Sequence, residues 1–323
     1  MWRFPGALDF SSNVNPLGPS AAVLEAVRRA SSEVACYPPP EAEPLCREAS
    51  RALGVEPEMV VAGNGSSELI KVVCEAFAGA RVGVREPTYS EYAYFSRAYG
   101  AEVVPLREMR GLSLGFICRP NNPTGEVVPL EVVEGLAREA EREGGVLVVD
   151  EAYVEFAECE SAVSLLEECP ALVVLRSMTK FYSLPGLRVG FLVASVELAG
   201  RIARLLPPWR VSTPAIHAGV AALRDREFAE RSRRYIRRER ERLGEMLRDA
   251  GAEPLRSRAN FLLVRLPRGV RSSEVRERLA RMGILVRDCS DFRGLEGYIR
   301  VSVRLREENE MLVQALEGVI GGG

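Results

Sequence analysis

The sequence predicts an α/β fold: three layers around a mainly parallel sheet, with a smaller α+β domain attached. Short apolar runs without two-residue alternation recur between residues 60 and 194, most of them separated by helical patterns. Strands covered by helices on both faces look like this. Beyond residue 250 the strand and helix patterns turn short and mixed, the mark of a second, smaller unit. The 323 residues suffice for two domains and a sizeable core. We expect a large domain over 33–212 and a small one built from 1–32 plus 213–323.

The elements follow in order. The chain opens extended and then carries DFSSNVNPLGPS from Asp9, a turn in which Asn13 and Asn15 are two of only seven asparagines. Asparagine there serves a turn or a ligand equally well. Ser20 caps an expected helix over 20–32. Tyr37-Pro38-Pro39-Pro40 forms a stiff loop that presents an aromatic ring, and a helix over 41–53 closes at Gly54. The apolar residues 60–62 run into GNGSSELI from Gly63, where Ser66 and Ser67 open a helix reaching Phe77. Free N–H groups and the helix dipole make that N-terminus an anion site, although capping serines alone leave the same pattern. Strands are expected over 81–85, 102–106, 114–118, 146–149, 172–175 and 189–194, and helices over 91–99 and 130–143. A helical piece over 201–206 stops at Pro207-Pro208, and one long helical pattern fills 213–250. A strand (260–266), a helix (273–282), two strands (285–288, 298–303) and a helix (307–319) complete the small domain, and glycines 321–323 read as a frayed end.

Composition narrows the function. A formal charge of -2 and 47% hydrophobic residues, with no block of like charge, exclude a nucleic-acid or membrane-surface partner. Residues 231–242 alternate Arg with Glu and read as a salt-bridged, solvated helix face. Residues 1–10 lack a secretory apolar core, and no run is long enough to span a bilayer. Seven scattered cysteines without CxxC spacing predict reduced, core-filling thiols in a cytoplasmic protein, Cys289 being the one inside a candidate substrate segment. With His217 the only histidine, metal binding is not expected, nor is Ser–His or Cys–His chemistry unless His217 itself is the base.

The lysines point to the chemistry. Of 43 basic residues only Lys71 and Lys180 are lysine, so a retained lysine suggests work arginine cannot do. Arginine is never deprotonated in practice, whereas a lysine amine can lose its proton and form a Schiff base. Lys180 follows the apolar strand and lies among Ser177, Thr179 and Arg188. Asn122 and Asp150 stand at two further strand ends, where open α/β sheets bind ligands. As a set these groups suit one molecule. Lys180 would meet an aldehyde, Asp150 a pyridinium nitrogen, Asn122 and Tyr153 a phenolate oxygen, and Tyr89 would stack on the ring. Ser66, Ser67, Ser177, Thr179 and Arg188 would surround a phosphate. A ring carrying all of these is pyridoxal 5′-phosphate.

PNNPTG, VVVDEAY and RSMTKFYSLPGLRVG resemble the fold-type I pyridoxal-phosphate enzymes, the aspartate-aminotransferase superfamily, over nearly the whole chain. Within it the chain is similar to histidinol-phosphate aminotransferases and to the L-threonine-O-3-phosphate decarboxylases of cobalamin biosynthesis. LDFSSNVNPLGPS, SMTKFYSLPGLRVG and ILVRDCSDFRGLEGYIRVSV resemble the decarboxylases more. Thr179 stands where the aminotransferases carry Ser, Pro185 where they carry Ala, and Cys289 where they carry a basic residue. The resemblance implies that Lys180, Asp150 and Tyr89 are catalytic, as Schiff-base lysine, pyridine partner and stacking ring. It assigns Asn122, Tyr153, Ser66, Ser67, Ser177, Thr179 and Arg188 to the cofactor. It sends Tyr37 to the cofactor phosphate of a neighbouring subunit in a homodimer, and gives Arg300, Arg287 and Asn13 to a small phosphorylated substrate. The reaction implied is decarboxylation of O-phospho-L-threonine to aminopropanol phosphate. The alternative is transamination of histidinol phosphate. A non-catalytic pyridoxal-phosphate module comes third, since no residues remain for a fused DNA-binding unit.

Overall fold

The computed structural model describes residues 6–321; the stretch 1–5, where a secretory core was sought, and glycines 322–323 lie outside it. Its centre is a seven-stranded sheet in the order Val60–Gly63, Gly190–Ala194, Leu172–Ser177, Val146–Asp150, Leu114–Cys118, Arg81–Val84, Glu102–Pro105. Gly190–Ala194 runs antiparallel to both neighbours and the other pairings are parallel, giving the mainly parallel sheet expected. The central strands are apolar and buried throughout because both faces are covered, each by its own hydrophobic cluster.

Local chemistry sets the helix ends. Ser20 accepts from the Val23 amide and starts Ala21–Ala30. Left-handed glycines close Glu43–Leu53 and Leu130–Glu143, with φ of 71° at Gly54 and 67° at Gly144. The small unit is an antiparallel sheet in the order Arg287–Asp288, Tyr298–Ser302, Phe261–Arg265, Glu253–Pro254, packed with Ser272–Arg281 and Arg306–Ile320.

Several expectations need correction. The helical pattern over 213–250 is two helices, Thr213–Arg224 and Arg226–Asp249, because Asp225 leaves helical geometry and its carboxylate caps the Phe228 amide. The helix ending before Pro207 is Val196–Ala203, started earlier by the Ser195 hydroxyl. The single strand expected over 285–288 is split between two sheets. Ile284–Leu285 pairs with the N-terminal Leu8–Asp9, and after Val286 the chain changes partner so that Arg287–Asp288 joins the antiparallel sheet. On the Arg/Glu-rich helix, Glu239 and Arg240 are buried, unlike their exposed neighbours. Cys36 is exposed and Cys159 half-buried, so these two do not fill the core, while the other five do. Among the described residues no helix is long and apolar enough to cross a membrane.

Candidate active site

Three parallel strands deliver the main groups. Their register sets Cys118 beside Asp150 and Asp150 beside Leu175, so the segments leaving Leu114–Cys118, Val146–Asp150 and Leu172–Ser177 emerge side by side. A cavity of about 460 Å³ opens there. Asp150, Lys180, Tyr89, Asn122, Tyr153, Ser66, Ser67, Ser177, Thr179 and Arg188 line it, with Asn13, Arg287 and Arg300 arriving from the N-terminal arm and the small unit. Of the residues assigned to the cofactor or the substrate from the sequence, Tyr37 alone does not line it. That ring is 81% exposed and stands 4.9 Å from Trp209 at a separate groove of about 820 Å³.

Burial pushes the Lys180 amine down to about 8, helped by Arg300 and Arg188 and opposed by Asp150. Near neutrality roughly a tenth of the amine is therefore unprotonated and nucleophilic, against less than about one part in a thousand for an ordinary lysine. Burial likewise pushes the Asp150 carboxyl up, against hydrogen bonds from the Tyr92 hydroxyl (2.7 Å) and the Ala152 amide (3.0 Å). Tyr153 accepts from Asn13 Nδ2 at 3.1 Å, and burial raises its phenol to about 12. Asn122 and Asn121 divide their labour. Asn121 fixes the loop, accepting from Thr88 Oγ1 at 2.7 Å and donating to the Pro87 carbonyl at 2.8 Å, while Asn122 accepts from Arg300. Arg300 also donates to the Ser11 carbonyl at 2.6 Å, which ties the N-terminal arm to the site.

The floor suits a phosphate. Ser66–Phe77 begins behind Gly65 at φ +82°, and the hydroxyls of Ser177 and Thr179 lie 2.9 Å apart. A methyl group added at Gly65 would come within 2.7 Å of the Arg188 guanidinium, and one at Gly190 within 3.1 Å of the Ser66 amide. The glycines therefore keep open a cradle of N–H, hydroxyl and guanidinium groups, the donor set an anion needs. Two buried polar atoms of cavity-lining residues, Asn13 Oδ1 and Arg300 Nε, have no hydrogen-bond partner among the described residues. Among the described residues no cluster of His, Cys, Asp and Glu could hold a metal.

Sequence reasoning missed Tyr92, which reaches Asp150, and Phe292, which lines the cavity and lies 5.2 Å from the Arg287 guanidinium. It also missed a buried charge network behind the site, where Glu151 receives Arg119 at 3.2 Å and Arg176 at 3.4 Å, and Glu155 receives Arg176 at 2.8 Å. The signal for Tyr92 was its position three residues beyond Tyr89, in the first turn of the helix that follows that loop residue.

The family model for aminotransferase class I and II matches residues 5–316. The chain belongs to this family. Histidinol-phosphate aminotransferase 2 of Archaeoglobus fulgidus is 37% identical over 327 residues, 97% of this chain and 93% of that one. The threonine-phosphate decarboxylase of Salmonella typhimurium is 33% identical over 338 residues, 98% and 92% of the two chains. The structure of histidinol-phosphate aminotransferase from Sinorhizobium meliloti in complex with pyridoxal-5′-phosphate has a TM-score of 0.89 at 27% identity, covering 98% of this chain and 91% of that one. The family works with pyridoxal 5′-phosphate, and this chain is accordingly a pyridoxal-phosphate enzyme, an aminotransferase or a decarboxylase.

Proposed function

We propose that the enzyme decarboxylates O-phospho-L-threonine to aminopropanol phosphate. One observation carries the reading. Arg287 and Arg300 are directly opposed partners across the antiparallel ladder, and both reach the same cavity. Like charges facing each other on a sheet repel unless an anion lies between them. Asp291 partly neutralises Arg287 at 2.6 Å, and among the described residues no carboxylate forms an ion pair with Arg300, whose partners are a carbonyl and an amide oxygen. A small molecule bearing both a carboxylate and a phosphate answers this pair, and histidinol phosphate brings a single anion. Cys289, which lies between the two arginines in sequence and is buried with Leu263 and Leu295, puts no cation where the aminotransferases carry a basic residue.

In this reading the family residues keep the roles read from their motifs. Lys180 is the covalent anchor and the group that returns a proton to the substrate α-carbon, Asp150 holds the ring nitrogen, and Tyr89 covers the ring face. Asn122 and Tyr153 take the phenolate oxygen. Ser66, Ser67, Ser177, Thr179 and Arg188 take the phosphate, while Arg300, Arg287 and Asn13 orient the substrate. When bound, the cofactor supplies an electron sink for whichever α-carbon bond stands perpendicular to its ring. Arg300 and Arg287 therefore decide the reaction by choosing which bond that is. We further propose a homodimer in which Tyr37 completes the partner's phosphate site. A cytoplasmic setting is supported by seven unpaired cysteines.

A second reading, transamination of histidinol phosphate, is favoured by the 37% identity to the Archaeoglobus fulgidus aminotransferase. Product analysis separates the two. O-phospho-L-threonine alone should yield CO2 and aminopropanol phosphate without a keto acid. Glutamate formation when histidinol phosphate is supplied with 2-oxoglutarate as amino acceptor, and no CO2 from phosphothreonine, would overturn the proposal.

A further inference from the structure

Asp150 meets the protein through both oxygens. Oδ1 accepts the Ala152 amide at 3.0 Å, and Oδ2 accepts the Tyr92 hydroxyl at 2.7 Å. Tyr92 is wholly buried on the helix Glu91–Ala98, its ring stacked on Phe116 at 5.0 Å and 10° and meeting Tyr89 edge-on at 5.6 Å. Everything this ring does for packing a phenylalanine would do as well. A hydroxyl carried into such a place costs free energy unless it finds a partner, and its partner is the carboxylate. The choice of a neutral donor matters. An arginine at this position would stabilise the carboxylate but cancel its charge, leaving little to attract a ring proton. A phenol stabilises the charge without cancelling it. Burial opposes this ionised form, so the donor is needed.

We propose that Tyr92 is a positioning residue that keeps Asp150 ionised and turns its carboxylate toward the ring nitrogen of the cofactor. The inference rests on the cofactor reading of the site and is indifferent to whether the reaction is decarboxylation or transamination.

The holoenzyme loaded with cofactor labelled with 15N in the pyridine ring provides the test. In the wild type the nitrogen resonance should sit at the protonated position; if it does not, the role given to Asp150 fails before any variant is made. In Tyr92→Phe, which preserves the ring stack, the resonance should move toward the unprotonated position and cofactor affinity should fall about tenfold to a hundredfold, the scale of a hydrogen bond to a charged group. The same change in an Asp150→Asn background should add nothing, because the acceptor charge is already gone. A resonance that stays in place in Tyr92→Phe overturns the proposal, and so does an equal loss of affinity in both backgrounds. Fluorinated tyrosine installed at position 92 keeps the shape and grades the donor strength. Stepwise movement of the resonance supports the proposal, and none overturns it even if Tyr92→Phe proves insoluble.

Discussion

At the scale of single residues the site is an argument about protonation. Lys180 is one of two lysines in the chain, and burial with two nearby arginines lowers its amine to about 8. The sign of the consequence is fixed by linkage. Below about pH 8 both the folded and the unfolded chain hold the proton; between about 8 and 10.5 only the unfolded chain does. In cofactor-free protein the buried charge therefore costs stability at neutral pH, up to about 3 kcal/mol, and the cost fades as pH rises through that window. Lys180→Met removes the charge while keeping an unbranched side chain. We expect this variant to unfold at higher denaturant than the wild type at pH 7 and to lose the advantage by pH 10.5. It should also show no visible absorbance from covalently bound cofactor. An advantage independent of pH would assign the effect to packing.

At the scale of elements, loops and helix ends hold the groups that strands deliver. Gly65 precedes Ser66–Phe77 at φ +82°, facing Arg188. Gly65→Ala meets about 1 kcal/mol or more of backbone strain and pushes the guanidinium aside. Equilibrium titration should show cofactor binding weakened about tenfold, with the fold intact by circular dichroism. Behind the site, Arg119, Glu151, Arg176 and Glu155 are all buried and join the ends of three adjacent strands. Glu151→Gln leaves the Arg119 guanidinium without its carboxylate and Arg176 with Glu155 alone, and urea unfolding should register a loss of about 3–5 kcal/mol. What could be read from the sequence divides along the same line. Strand ends at Asn122, Asp150 and Lys180 were legible because an apolar run followed by a polar residue is a local pattern. The cap at Asp225 was legible in principle and was hidden by a continuous amphipathic face. Tyr92 and Asp150 lie 58 residues apart, and Arg119 and Glu151 lie 32 apart, so their pairing exists only after the sheet has formed. Charge alone could not reveal the network in a chain where arginine is everywhere.

At the scale of the whole molecule, the exposed Tyr37 remains to be placed. The ring lies beside the exposed Trp209, away from the cavity that holds Lys180, at the mouth of the larger groove between the N-terminal helix Ala21–Ala30 and Thr213–Arg224. A residue that serves a phosphate in its own chain would line that chain's cavity, and Tyr37 does not. If it serves the site of a second copy, each active site is built from two chains and complementation follows by symmetry. Chains carrying Tyr37→Ala and chains carrying Lys180→Ala should each be nearly inactive alone. Co-expressed, they form mixed dimers in which one site has both residues and the other neither. The mixture should recover about a quarter of wild-type turnover, because half the dimers are mixed and each has one working site of two. Turnover that stays at the level of the separate variants would confine Tyr37 to its own chain and remove the reason for a shared site.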